Sequence, residues 1–214
     1  MKSYSERDRV AGILEKEIVF GVLKPRERLV EQDIMDRLDT RRHVVRTALD
    51  ALENKMLVER RANKGATVRD LSELEIYELY FMRELLHRTA AEQTSLPLSN
   101  EVLTELRQIQ SRHDSAIKEG DLSETFHQNE AFHAVLNHAC GNNALEDCLN
   151  LYNERTNLVR SYAFRSLENL HDSATEHHEI IEAGAQGDRN TFIAVILKHV
   201  LRAKSSYLEN NNIG

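Results

Sequence analysis

The chain has 214 residues, 41% of them hydrophobic and 29% charged, with a net charge of −7. That composition is enough to bury a core and leaves room for one large or two small domains. No stretch approaches the ~20 uncharged apolar residues that a membrane span needs, and the first ten residues hold no signal-peptide-like apolar run, so a cytoplasmic location and no membrane partner are expected.

Only 2 Pro and 8 Gly punctuate the sequence, and its Leu, Glu, Arg and Ala content favours helix. The charge is uneven. Residues 1–70 carry 16 Lys and Arg against 13 acids, a net +3, which leaves −10 for the remainder. Nine of the ten histidines also fall after residue 70. A locally basic face matters more for phosphate contact than whole-chain charge does. Cys140 and Cys148 fit no metal or redox spacing. On one helix they lie about 12 Å apart by rise, too far for a bridge, so two reduced cysteines are expected.

In chain order, residues 6–21 read as a helix, with Val10, Ile13, Leu14, Ile18 and Val19 on one stripe. Gly21 and Pro25 end it. Arg28-Leu29-Val30 reads as a short extended piece, and residues 31–38 as a second helix. Asp39-Thr40 is a tight break with Thr40 as candidate N-cap. A third helix spans residues 41–54, with Val44 or Val45, Ala48, Leu49 and Leu52 inward. Two strand-like runs, 56–61 and 66–68, flank the Asn- and Gly-containing turn 62–65, a hairpin signal. Helix, helix, turn, helix and hairpin make a winged helix-turn-helix over residues 1–70.

From Leu71 on, the pattern is helical only, in six segments: 72–94, 98–119, 121–139, 142–166, 169–186 and 188–210. Breaks fall at Pro97, Gly120, residues 140–142, Asn169 and Gly187-Asp188. Short connections imply antiparallel packing. The expected fold is mainly α: a winged head, then an antiparallel all-α bundle over residues 71–214.

Two constellations carry chemistry. The third helix opens Arg41-Arg42-His43-Val44-Val45-Arg46. In this motif the N-terminal residues of the second helix of the pair meet base edges. Arg42 and Arg46, at i and i+4, share a face. Cations at a helix N-terminus oppose the helix dipole, which points to an outside anion such as phosphate. Thr40, Arg41, Arg42, His43 and Arg46, with Lys64 and Gly65 at the wing tip, are the candidate DNA contacts. Gly65 suits a position of positive φ.

The second constellation is built from histidines. Asn129 and His133, at i and i+4, share one helix face. His177 and His199 lie equally far from Asp188, so an antiparallel hairpin sets them side by side among Ile180, Ile181, Phe192, Val195 and Ile196. Three imidazoles and an oxygen suit a divalent metal, Zn²⁺ foremost, with Ni²⁺ and Mn²⁺ as alternatives. Arg83, on a mostly apolar helix, asks for a buried anion partner: a ligand carboxylate or an acid of the bundle. Arg160 is a further, weaker candidate.

Residues 10–68 resemble the DNA-binding domain of the GntR family of bacterial repressors. The match runs through Gly21-Val22-Leu23-Lys24-Pro25-Arg26-Glu27-Arg28-Leu29, the segment Arg41 to Leu49, and Gly65-Ala66-Thr67-Val68. It departs at Arg26 (Gly in the family pattern), Arg41 (Ser) and Val44 (Pro). Residues 72–210 are similar to the FCD effector domain of the FadR subfamily. There the resemblance assigns metal ligands to Asn129 (Asp in the family pattern), His133, His177 after Glu176, and His199, and implies an organic-acid effector held by Arg83. The function implied is an effector-controlled, DNA-binding transcriptional regulator, repression being the expected direction. It is expected to be a homodimer on a palindromic operator and not an enzyme. Two alternatives stand beside it: a metal-dependent hydrolase or oxygenase, for which no general base has suitable spacing, and a metal-free helical interaction protein.

Overall fold

The computed structural model describes residues 5–61, 65–161, 164 and 166–211. The chain divides into two compact units, Met1–Ser72 and Glu73–Gly214.

In the first unit, α1 (Glu6–Val19) is capped by Ser5, whose hydroxyl accepts from the Asp8 N–H. Val10, Leu14 and Ile18, four residues apart, are fully buried and pack on α3 (Arg42–Asn54). The facing stripe of α3 is Val45, Ala48, Leu49 and Leu52. Val44 is buried as well, so both valines of that pair turn inward. Between these helices lie β1 (Arg28–Leu29) and α2 (Glu31–Leu38). The wing strands β2 (Val58–Arg61) and β3 (Gly65–Val68) pair antiparallel, and β1 adds on the far side of β3, in the order β1-β3-β2. Gly65 has φ 81°.

Two details of this unit differ from the sequence reading. Thr40 is not the cap of α3: its hydroxyl donates to Glu6 Oε1 at 2.7 Å, and Arg41 takes the cap position with no side-chain cap bond. α2 ends instead on Asp39 in a left-handed conformation. Arg26 also has positive φ, 67°. A residue with a Cβ stands there at a cost of about 1 kcal/mol. Its N–H bonds to the Val68 carbonyl, and its side chain pairs with Asp70 at 2.6 Å.

The second unit is all helical: α4 (Glu73–Gln93), α5 (Asn100–Glu119), α6 (Leu122–His138), α7 (Asn143–Arg155), α8 (Asn157–Arg160), α9 (Leu167–Gln186) and α10 (Arg189–Asn211). Ser99, Asp121, Asn142 and Ser166 each cap a helix through the side chain. Gly120 and Gly187 end helices at positive φ. α5 packs on α6 and α9, and α10 packs on α4 and α9. Leu106, Phe132, Ile180 and Phe192 form the centre of this core. Arg189 donates to the carbonyls of Ala91, Glu92 and Thr94 and so closes the C-terminal end of α4.

The expected single helix 142–166 is broken at Thr156, whose hydroxyl bonds back to the carbonyls of Tyr152 and Asn153. The expected break at Asn169 is absent. Ser166 caps α9, and Asn169 lies inside its first turn. Cys140 is buried, Cys148 is exposed, and both are free. No helix of the described residues is long and apolar enough to cross a membrane.

Candidate metal centre and DNA-reading face

In the head, Arg41, Arg42, His43 and Arg46 are exposed along the start of α3, Gly65 is exposed, and Thr40 is half-buried. Lys64 lies outside the described residues. Neither arginine of the i, i+4 pair hangs free. Arg46 Nε donates to both carboxylate oxygens of Glu31, at 3.0 and 3.1 Å, and Arg42 Nη2 to Gln32 Oε1 at 3.3 Å. Arg60 pairs with Asp50 and reaches the Arg46 carbonyl. α2 thus positions the two long donors of α3. Sequence reasoning missed Glu31 and Gln32, because a contact between two helices leaves no spacing signal in either.

In the helical unit, His133 on α6, His177 on α9 and His199 on α10 converge. One ring nitrogen from each lies within 4.8 Å of the others, and all three side chains are buried. The mirrored positions of His177 and His199 about the α9–α10 turn bring their rings to 4.7 Å. The two Nε2 atoms of His133 and His199 face each other at 3.2 Å. A tetrahedral site with Zn–N bonds of 2.0–2.1 Å sets neighbouring nitrogens roughly 3.3 Å apart.

The far nitrogens are held from behind. His199 Nδ1–H donates to Glu176 Oε2 at 2.9 Å, an oxygen that also accepts from Arg202 Nε at 2.8 Å. His177 Nδ1–H donates to Gln110 Oε1 at 2.8 Å. Gln110 cannot turn over, because its amide N–H₂ is committed to Asp114 Oδ1 at 2.7 Å and His113 Nδ1 at 3.3 Å. Phe132 lies flat on the His177 ring, 3.9 Å between centroids. Each of these two rings therefore keeps Nε2 for a ligand. His177 Nε2 and His133 Nδ1 are buried without a hydrogen-bond partner.

Burial holds His133 and His177 well below the usual histidine value, and His199 below it despite Glu176. Neutral imidazoles are the form that binds metal. A buried orphan Nε2 beside two more neutral rings fits a divalent ion.

Asn129 is buried one turn before His133 on the same face. Its amide nitrogen donates to Glu130 Oε1 at 3.3 Å, and the residue lines the same cavity as His133 and His199. Glu130 starts off that face, yet its carboxylate turns back and forms an ion pair with Arg160. Beside the cluster lies a cavity of about 40 Å³ that Arg83, Arg160 and Arg202 help to line.

Arg83 is buried and has no acid partner among the described residues. Nη2 reaches Asn153 Oδ1 at 3.1 Å, while Nε and Nη1 lack acceptors. Burial lowers its pKa to about 10, so it stays a cation at neutral pH. Of the two partners open to Arg83 in the sequence, a bundle acid does not pair with it directly among the described residues, and Glu130 acts on it only through space. His87 and His113 are also buried, and burial holds His113 down at about 4. His127, His138, His171 and His178 are exposed.

A winged helix-turn-helix joined to a helical domain whose buried histidines and arginines line a cavity defines the class of DNA-binding regulators with a sensing domain. Residues 6–68 match the bacterial regulatory proteins of the gntR family, and residues 78–202 match the FCD domain. The chain belongs to the GntR family of DNA-binding transcriptional regulators with an FCD effector-binding domain, and is not an enzyme. It is similar to the HTH-type transcriptional regulator YdhC of Bacillus subtilis, 25% identical over 87% of this chain and 84% of that one. It also resembles the HTH-type transcriptional repressor RspR of Escherichia coli, 21% identical over 92% and 87%. Among solved structures, a GntR transcriptional regulator from Rhodococcus sp. RHA1 superposes with a TM-score of 0.77 at 25% identity, covering 96% of this chain and 99% of that chain. Escherichia coli McbR/YncC shares the fold, with a TM-score of 0.73 at 18% identity over 97% and 99%.

Proposed function

We propose that this regulator holds a divalent metal, Zn²⁺ foremost with Ni²⁺ or Mn²⁺ as alternatives, on His133, His177, His199 and Asn129, and that an organic acid binding there controls its hold on operator DNA. The observation that carries the reading is the convergence of three buried, neutral imidazoles beside Arg83, a buried cation with no direct acid partner among the described residues. Leaving a buried charge uncompensated is costly, and a carboxylate from solution removes that cost. When bound, the ion supplies a second positive centre for the same ligand. Gln110 and Glu176 fix the ring orientations, and Arg160 lines the cavity as a second anion holder.

In the head, Arg41, Arg42, His43 and Arg46 read the major groove, with Thr40, Gly65 and Lys64 on the flanking backbone. Residues 71–214 serve sensing and homodimerisation. An apolar ridge on α4 supports the dimer: Leu74, Tyr77, Phe81 and Leu85 recur at helical spacing, Leu74 and Phe81 each 67% exposed. Two heads then meet two half-sites of a palindrome. By likeness to the repressor RspR we take repression as the direction, and the cytoplasm as the place of action.

Selection of duplexes from random DNA by the full-length protein, with and without Zn²⁺, tests this. A palindromic consensus bound by a dimer is expected. Absence of any sequence preference under every metal and acid condition contradicts it. Purified protein that retains no metal after exposure to excess Zn²⁺ contradicts the metal reading.

A further inference from the structure

We infer that the acid sensed by this protein carries two negative charges on a backbone of two or three carbons. The inference rests on the metal reading above and adds a count of charge inside the cavity.

Among the described residues three arginines line the cavity, Arg83, Arg160 and Arg202, and two of them are already matched. Arg160 is paired with Glu130, and Arg202 with Glu176, which also holds His199. Arg83 has no paired acid among the described residues, and its Nε and Nη1 have no acceptor there. The prospective metal ligands add no negative charge: His133, His177 and His199 are neutral, and Asn129 is an amide with its N–H₂ turned toward Glu130. A divalent ion held there keeps its full double charge. With Arg83 it leaves three positive charges around a half-enclosed cavity, none of them in a direct ion pair among the described residues. Buried charge of one sign draws in the other. A monocarboxylate cancels one of the three, whereas a diacid cancels two, with one carboxylate at Arg83 and one at the histidine cluster.

Size points the same way. The cavity of about 40 Å³ takes about three waters by the room each needs. That is the bulk of a two- or three-carbon acid rather than of a sugar acid or a fatty acid.

Malonate and propionate share a three-carbon backbone and differ in one carboxylate. Their affinities for the full-length, zinc-loaded protein, measured by calorimetry with zinc content checked before and after, give the test. Malonate is expected to bind at least tenfold more tightly. Arg83→Gln is expected to bring malonate to the level of propionate with zinc retained. Glu130→Gln frees Arg160 and is expected to raise malonate affinity several-fold, a gain that misfolding cannot mimic. Propionate binding as well as malonate to zinc-loaded protein overturns this inference alone, as does a malonate preference unchanged in both variants. Wild-type protein that takes up no zinc overturns the metal reading and this inference with it.

Discussion

The two halves of the molecule hold their working side chains in opposite ways. On the head, Arg42 and Arg46 stand in solvent, and each leans on a neighbour from α2. In the helical unit, His133, His177, His199 and Arg83 are buried, and several of their polar atoms have no partner. An exposed ion pair is worth about 0–1 kcal/mol, so exchanging Glu31 for a phosphate or a base costs little. A buried pair broken on one side costs about 3–5 kcal/mol. On the proposed function, the head suits reversible exchange of partners, and the bundle suits a ligand whose absence is expensive.

The sharpest way to break that contrast is to remove the buried acid. Glu176→Leu strands Arg202 and untethers His199, so a loss of about 3 kcal/mol of stability is expected, read by chemical denaturation. A loss below 1 kcal/mol would place Glu176 in the same class as Glu31. Next comes Gln110→Leu, which frees the His177 ring. Zinc affinity is expected to fall about 10–100-fold in chelator competition, with the fold retained by circular dichroism. On the head, Arg46→Ala is expected to weaken binding to the selected operator by about 1–3 kcal/mol. Glu31→Gln is expected to leave stability within about 0.5 kcal/mol of the wild type. The smallest effect belongs to Arg26, held at φ 67°. Arg26→Gly relieves the left-handed strain but loses the exposed Asp70 pair and adds chain entropy, for a net gain of about 0.5 kcal/mol in thermal unfolding.

Much of the architecture could be read from periodicity. The stripes Val10-Leu14-Ile18 and Val45-Ala48-Leu49-Leu52 face each other because both follow the 3.6-residue repeat. The side-by-side placement of His177 and His199 followed from equal distances to one turn. What stayed hidden depended on contacts between elements. Gln110 and Glu176 meet histidines on other helices, and nothing in the spacing of either marks it. Glu130 started on the wrong face, and only the reach of its side chain brought the carboxylate to Arg160. The break at Thr156 was missed because apolar residues continue on both sides. A hydroxyl competing for backbone carbonyls leaves no mark on that pattern. Thr40 was misplaced because Glu6 offered its hydroxyl a better acceptor than the start of α3 did.

The central claim is that the buried cluster and the DNA-reading face are coupled. The direct measurement is affinity for the selected operator in wild-type protein and in His133→Ala/His177→Ala, each with and without Zn²⁺ and malonate. In the wild type the metal and acid are expected to change operator affinity by at least fivefold, within the usual range of coupling between sites, and in the double variant they are expected to change nothing. Equal operator affinity in wild-type protein under all four conditions would contradict the account.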